Sequence, residues 1–253
     1  MSLPVHFLPE LGRPRVGERL ALSGEEAHHA VAVRRLRVGE ALVITDGLGG
    51  RAVCRVVSAE RRALSAVCEA FDVEPEPTPH VTVIQALAKG DRADLAVELA
   101  TELGAARIVP WAASRSVSVW RGDRAAKGVE KWRATAREAA KQSRRSWFPE
   151  VSDLASTAAA CGLLAECVAA GGAAFALHEE ATVALAAQPV PTRAVVIVGP
   201  EGGISTDELA RFVEAGATPV LLGPEVLRTS TAGAAALVAL QSRTTRWGGS
   251  PAQ

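Results

Sequence analysis

The apolar positions of this chain change rhythm near residue 74. Ahead of it they come in short runs: Ala41–Thr45, then residues 52–57 and 63–71, with Asp46-Gly47 and Gly49-Gly50 between the first two. Short apolar runs bounded by glycine turns predict strands. This part therefore reads as a small barrel-like β module. His28-His29 and Arg34-Arg35-Leu36-Arg37 fall in a short helix or turn ahead of those strands.

Glu74-Pro75-Glu76-Pro77-Thr78-Pro79 follows, and three prolines this close favour a stiff, extended connector. Beyond it the spacing alternates. Val81–Leu87 is an unbroken apolar run, and Arg92–Leu103 has helical spacing that stops at Gly104. Arg107–Pro110 reads as a short strand, 124–145 as a long basic helix and 157–170 as an Ala-rich helix. Strands at Ala173–Leu177, Ala194–Val198 and Pro219–Leu222 alternate with a helix capped by Ser205 or Thr206 and a closing helix at Ser230–Leu240. Alternation of this kind predicts an α/β domain with a mainly parallel sheet and helices on both faces. The expected division is a β domain at 1–73, a linker at 74–80 and an α/β domain at 81–253.

At 253 residues and 48% apolar, the chain can bury a core without disulfides or structural metal. No apolar run reaches membrane-spanning length and no secretory pattern opens the chain, so a cytoplasmic protein with no membrane partner is expected. The formal net charge is zero, which taken whole argues against a nucleic-acid partner. Segment counting changes that picture. Residues 115–147 carry a net +7, residues 73–114 a net −3 and residues 148–253 a net −5. A local basic face marks phosphate binding whatever the total. Arg133, Arg137, Lys141 and Arg144 recur every three or four residues and predict one positive helical stripe, with Gln142 and Arg145 at its end.

Two glycine-bearing loops follow apolar strands: Val198-Gly199-Pro200-Glu201-Gly202-Gly203, and Leu222-Gly223 through Leu227-Arg228-Thr229-Ser230-Thr231. In open α/β sheets ligands bind beyond the carboxyl ends of strands. Neither loop is a dinucleotide fingerprint or a P-loop, which weakens an oxidoreductase or NTPase reading. No serine nucleophile elbow is present, and no histidine or cysteine spacing predicts a metal site.

The chain resembles the RsmE family of bacterial 16S rRNA uridine-N3 methyltransferases, in the SPOUT superfamily. The blocks that carry the resemblance are His28-His29 with Arg34-Arg35-Leu36-Arg37, Gln85 to Arg92 (including Lys89), and Thr101-Glu102-Leu103-Gly104. Ser114-Arg115-Ser116, Glu138 to Arg145, Leu177-His178-Glu179 and the two glycine loops complete the set. Single blocks are weak; their order along residues 28–232 is specific. The family more often has Pro at Ala88, Glu at Ser230 and Arg before the first aromatic, where this chain has His6 and Phe7.

The resemblance implies a PUA-like barrel, then a SPOUT domain with a deep carboxy-terminal trefoil knot, acting as a homodimer on 16S rRNA of the small ribosomal subunit. It implies S-adenosylmethionine as cofactor, S-adenosylhomocysteine as product and no metal. Leu177-His178-Glu179 and the two glycine loops would line the cofactor pocket. Arg34, Arg35, Arg37, Lys89, Arg92 and the basic helix would hold RNA. Arg115 or Arg228 would stabilise the uracil anion formed when N3 loses its proton, and Glu102 or solvent would accept that proton. The competing readings are a related enzyme with another RNA target, and an rRNA-binding assembly factor without catalysis.

Overall fold

The computed structural model describes residues 3–248, which fall into two compact units. The first comprises residues up to Glu76 together with Ala140–Phe148, and the second comprises Pro77–Ala139 and Pro149 onward. The division expected from sequence is thus corrected at 140–148, which the structure groups with the first unit. The reason is physical: these residues spend their hydrogen bonds there. Gly49 N–H donates to the Ser146 carbonyl, Phe148 N–H to the Gly47 carbonyl and the Trp147 indole to the Glu74 carbonyl.

The first unit is built on β1 (Val5–Phe7), β2 (Arg19–Ser23), β3 (Ala41–Thr45), β4 (Gly50–Glu60) and β5 (Ala63–Val73). They form one sheet in the order β1-β3-β4-β5-β2. Only the β1–β3 pair is parallel. Strands β1 and β2 were not expected from the sequence; β1, at three residues, is too short to show a period, whereas β2 alternates exposed and buried as a half-covered strand does. A short helix α1 (Gly24–His28) and a π-helical turn (His29–Val33) lie between β2 and β3. Leu20, Leu22, Leu42, Ile44, Ala52, Cys54, Leu64 and Cys68 point to one side and make the core. Burial pushes the Cys54 thiol up to about 12, so it is inert at neutral pH.

The second unit carries β6 (His80–Ala86), α2 (Arg92–Glu102), β7 (Arg107–Trp111), α3 (Asp123–Gln142, whose last residues belong to the first unit), β8 (Glu150–Val151) and α4 (Thr157–Ala169). It continues through β9 (Ala173–Leu177), β10 (Arg193–Val198), α5 (Thr206–Glu214), β11 (Ala217–Val220), α6 (Thr229–Gln241) and α7 (Thr245–Gly248). The sheet runs β11-β9-β10-β6-β7-β8, parallel throughout. Both faces are covered, so its strands are largely apolar on both sides. In β10, Ala194, Val196 and Val198 enter one core while Val195 and Ile197 enter the other. Alternation of this kind is the signature of a parallel sheet sandwiched by helices.

Helix α3 buries Val129, Trp132, Ala136 and Ala139, spaced by three and four. It ends at Gln142, three residues earlier than expected. Arg144 takes φ +59°, while Arg145 N–H donates to the Ala140 carbonyl and Arg144 N–H to the Lys141 carbonyl. This is a Schellman termination with arginine where glycine is usual. The left-handed conformation costs a non-glycine residue roughly 1–2 kcal/mol. Arg35, also at φ +59°, ends the π-helical turn in the same conformation.

The expected positive stripe does not form. Lys141 is buried, with its ammonium 2.9 Å from Glu26. Arg133 donates to Glu130, to Asp153 and to the Val151 carbonyl. Arg137 is exposed, and Arg144 lies beyond the helix. Early termination breaks the spacing, and partners remote in sequence consume the charge.

Candidate functional site

A cavity of about 640 Å³ opens at the carboxyl ends of β9, β10 and β11. Its walls are three loops: Leu177-His178-Glu179-Glu180 after β9, Val198 to Ile204 after β10, and Val220 to Arg228 after β11. Arg92 and Arg115 complete it. Parallel pairing aligns these strand ends, which is why segments far apart in sequence meet here.

Each loop is held in shape by specific contacts. Gln85, buried at the end of β6, donates to Thr229 Oγ1 at 3.1 Å and to the Thr229 carbonyl at 3.3 Å. Thr229 Oγ1 in turn donates to the Gly199 carbonyl at 2.6 Å. This relay locks the start of α6 to the β10 loop. A Cβ on Gly199 would sit 2.8 Å from Ile204 Cγ1, so only glycine lets that loop turn back on itself. A Cβ on Gly202 would meet Arg115 Cβ at 3.1 Å. Arg115 also donates to the Gly202 carbonyl at 3.3 Å, and Lys89 N–H donates to Glu201 at 3.1 Å.

The cavity suits a cationic, zwitterionic ligand with a flat apolar part. Leu177, Val198, Val220, Leu222 and Leu227 supply apolar wall, and Glu179, Glu180, Glu201 and Glu225 supply negative charge. The amino end of α6 opens there beside Arg228, which favours a carboxylate. A Cβ on Gly223 would find only Glu225, at 3.7 Å, so the backbone there is bare toward open space. These residues fit S-adenosylmethionine.

Of the cofactor residues expected from sequence, Leu177, His178, Glu179, Val198, Gly199, Pro200, Glu201, Gly202, Gly203, Leu222, Gly223, Leu227, Arg228 and Thr229 line this cavity. Ser230 and Thr231 do not; Ser230 is buried inside the first turn of α6. Arg115 and Arg228 are both present at the wall, whereas Glu102 is absent from it. Glu102 ends α2, and α2 runs from the carboxyl end of β6 back to the amino end of β7. Glu102 therefore sits at the opposite end of the sheet from the loops, and Arg92, at the first turn of α2, sits beside them. Glu225 and Val226, inside the expected second loop, also line the cavity, as do Glu180, Ile204, Thr206, Val220, Leu221 and Ala232, which lie outside the stretches expected from sequence. Their adjacency to the glycine loops was the available signal.

Among the residues expected to meet RNA, Arg34, Arg35, Arg37, Lys89 and Gln142 are exposed. Within the first unit His6, Glu26 and His29 come together, with possible ligand atoms within 4.8 Å of one another. Glu26 and His29 stand three apart where α1 runs into the π-helical turn, but His6 comes from β1, 20 residues before Glu26, so the group as a whole has no local spacing. His6 Nδ1 lies 3.0 Å from Glu26, and Lys141 occupies its other oxygen. The ammonium supplies the positive charge that a cation would bring. Burial raises the Glu26 pKa, but the hydrogen bonds from His6 and Lys141, the Lys141 charge and the Phe7 N–H outweigh it and hold it at about 2.

Known proteins carry the same architecture. A family model for the RNA methyltransferase domain matches residues 74–241, and one for the RNA methyltransferase PUA domain matches 22–67. Ribosomal RNA small subunit methyltransferase E of Mycobacterium tuberculosis (strain CDC 1551 / Oshkosh) is 48% identical over 238 residues, covering 92% of this chain and 90% of its own. The Bacillus subtilis (strain 168) protein of that name is 30% identical over 246 residues, covering 94% and 96%. The crystal structure of ribosomal RNA small subunit methyltransferase E from Neisseria gonorrhoeae bound to S-adenosyl methionine superposes with a TM-score of 0.84 at 28% identity, covering 95% of this chain and 98% of that one. With a PUA-type first unit, a parallel-sheet second unit and these relatives, the chain belongs to the ribosomal RNA small subunit methyltransferase E family.

Proposed function

We propose that this protein transfers a methyl group from S-adenosylmethionine to N3 of one uridine in 16S rRNA. It does so on the assembled small ribosomal subunit, as a cytoplasmic homodimer. The observation that carries the reading is the cavity at the strand carboxyl ends, whose glycine loops, carboxylates and arginines suit that cofactor. The trefoil knot belongs to the same proposal. Among the described residues no helix is long and apolar enough to cross a membrane. Leu95 on α2, Val238 on α6 and the neighbouring Val226 and Leu227 are exposed apolar side chains available to a second copy.

Bound S-adenosylmethionine supplies a methyl group on a sulfonium. The protein must then present uracil N3 at near-attack distance, about 3–3.5 Å, with its proton removed. Arg115 and Arg228 stabilise the charge that spreads over N3 and the two carbonyl oxygens; both reach the cavity wall, which supports that role. Glu102 is distant from that wall, so within one chain the proton goes to solvent rather than to this carboxylate. The target base must leave its stack to enter, and exposed Arg34, Arg35, Arg37, Lys89 and Arg92 hold the surrounding RNA through phosphates.

The test is methyl transfer to small subunits and to naked 16S rRNA, with the modified position mapped by mass spectrometry. Uridine-N3 methylation of subunits alone is expected. Methylation of another atom or nucleotide would overturn the target, and no transfer despite cofactor binding would overturn the enzyme.

A further inference from the structure

The first unit contains a cavity that the methyl-transfer chemistry does not use. It measures about 260 Å³ and is lined by Leu3, Val5, Val43, Thr45, Arg51, Arg144, Arg145 and Ser146. Strand register explains its composition. Val5 is the partner of Val43 in β1–β3, and Thr45 is the partner of Arg51 in β3–β4. Side chains two apart on a strand, and those directly opposite across a ladder, share a face. Val5, Val43, Thr45 and Arg51 therefore stand together on one face of the sheet. Leu42 and Ile44, which alternate with Val43 and Thr45 along β3, point into the core on the other. The segment 144–146 lies over the face that carries Val5, Val43, Thr45 and Arg51, held by the Ser146 carbonyl, which accepts from Gly49 N–H at 3.0 Å and from Thr45 Oγ1 at 3.4 Å.

The result is an apolar floor under a cationic rim. Arg51 and Arg144 form no ion pair among the described residues. Asp72 stands opposite Arg51 in the β4–β5 ladder without forming an ion pair with it, Glu74 is engaged by the Ser146 hydroxyl, and neither carboxylate lines the cavity. Arg144 also holds a backbone conformation that glycine would adopt without strain. Strain retained at an exposed position signals that the side chain itself is needed.

We propose that this cavity binds one unpaired nucleotide of the RNA strand. The base rests on Leu3, Val5 and Val43, and the phosphodiester lies against the Arg51 and Arg144 guanidiniums. Guanidiniums suit phosphate oxygens and also stack on bases. The cavity is below the ~300–1,000 Å³ usual for ligand pockets, so it takes a single nucleotide and no duplex. The inference rests on the RNA-methyltransferase reading above and gives it a second RNA contact, remote in kind from the reacting base.

The test uses the full chain with an unstructured single-stranded RNA, a duplex of equal length, uridine monophosphate and inorganic phosphate, measured by fluorescence anisotropy and competition. The variants are Arg144→Gly and Arg51→Gln. Each is expected to weaken single-stranded RNA binding about fivefold to tenfold and to lower the salt slope by about 1. Arg144→Gly is expected to keep or raise the melting temperature, which separates lost contact from lost fold. S-adenosylmethionine affinity should stay unchanged in both. If the wild type binds and methylates RNA while both variants match it, this inference alone fails. If the wild type binds no RNA, the functional reading fails with it. Equal competition by inorganic phosphate and by uridine monophosphate would mean a simple anion site, and preference for the free mononucleotide over the strand would mean a metabolite site. Either result overturns the proposal.

Discussion

The Glu208 carboxylate accepts both the backbone N–H and the hydroxyl of Ser114, each at 2.8 Å. It also accepts from the N–H and hydroxyl of Ser205, completing the capping box of α5, and from Thr157. Ser114 precedes Arg115, so this buried carboxylate sets where the guanidinium starts. Burial alone would raise the Glu208 pKa; the hydrogen bonds from Ser114 and Ser205 outweigh it and hold it below the ordinary carboxylate value.

Glu208→Gln cannot accept this many donors. It should cost about 1–3 kcal/mol of stability and slow methyl transfer more than it weakens S-adenosylmethionine binding. Thermal melts, cofactor calorimetry and single-turnover rates check this together. Because the folded pKa is depressed, the stabilisation is present above the unfolded pKa and disappears as pH falls through the folded one. The wild-type advantage over the variant should therefore shrink only in acid.

The two glycine loops predict opposite patterns. Gly199→Ala drives a Cβ to 2.8 Å from Ile204 and should lower both the melting temperature and cofactor affinity. Gly223→Ala meets nothing closer than 3.7 Å and should leave the free protein as stable as before. Its methyl fills the cofactor cradle, so affinity should fall about tenfold or more by calorimetry. An unchanged affinity would place the ligand elsewhere.

Arg115→Ala and Arg228→Ala should each slow single-turnover transfer by about 10²-fold, the usual cost of one lost electrostatic contact to a developing anion. Glu102→Gln should remain close to the wild-type rate, because that side chain lies at the other end of the sheet. A collapse in rate would mean that a second copy delivers Glu102 to the cavity.

Glu26 predicts an acid-labile first unit. Its pKa of about 2 lies below the ordinary 4.5, so its contribution is complete above about 4.5 and is lost as pH falls toward 2. Glu26→Gln strands a buried Lys141 and should cost about 3 kcal/mol at neutral pH. Denaturant unfolding of the two proteins at pH 7 and pH 3 should show the gap narrowing.

Much of the second unit was readable because its signals are local. Ser205 and Glu208 stand three apart, the spacing of a capping box, and the β10 run Ala194–Val198 is apolar throughout as a doubly covered strand must be. The pocket loops were readable for the same reason, each following an apolar strand. What escaped depends on distance in sequence. Lys141 looked like one more exposed cation until Glu26, 115 residues away, took its charge. Glu102 looked catalytic by its motif, but the direction of α2 carries it from the cavity. The strand Val5–Phe7 has three residues and no period of its own.

The return of residues 140–148 to the first unit has a consequence for synthesis. Amino-terminal domains usually finish folding while the rest of the chain is still being made. Here Glu26 and Gly49 wait for Lys141 and Ser146, so most of α3 must leave the ribosome before the first unit is whole. A fragment ending at the proline connector would lack part of its own fold. Translation order and domain order part company in this chain, and cutting it at its most obvious boundary would separate a domain from its last piece.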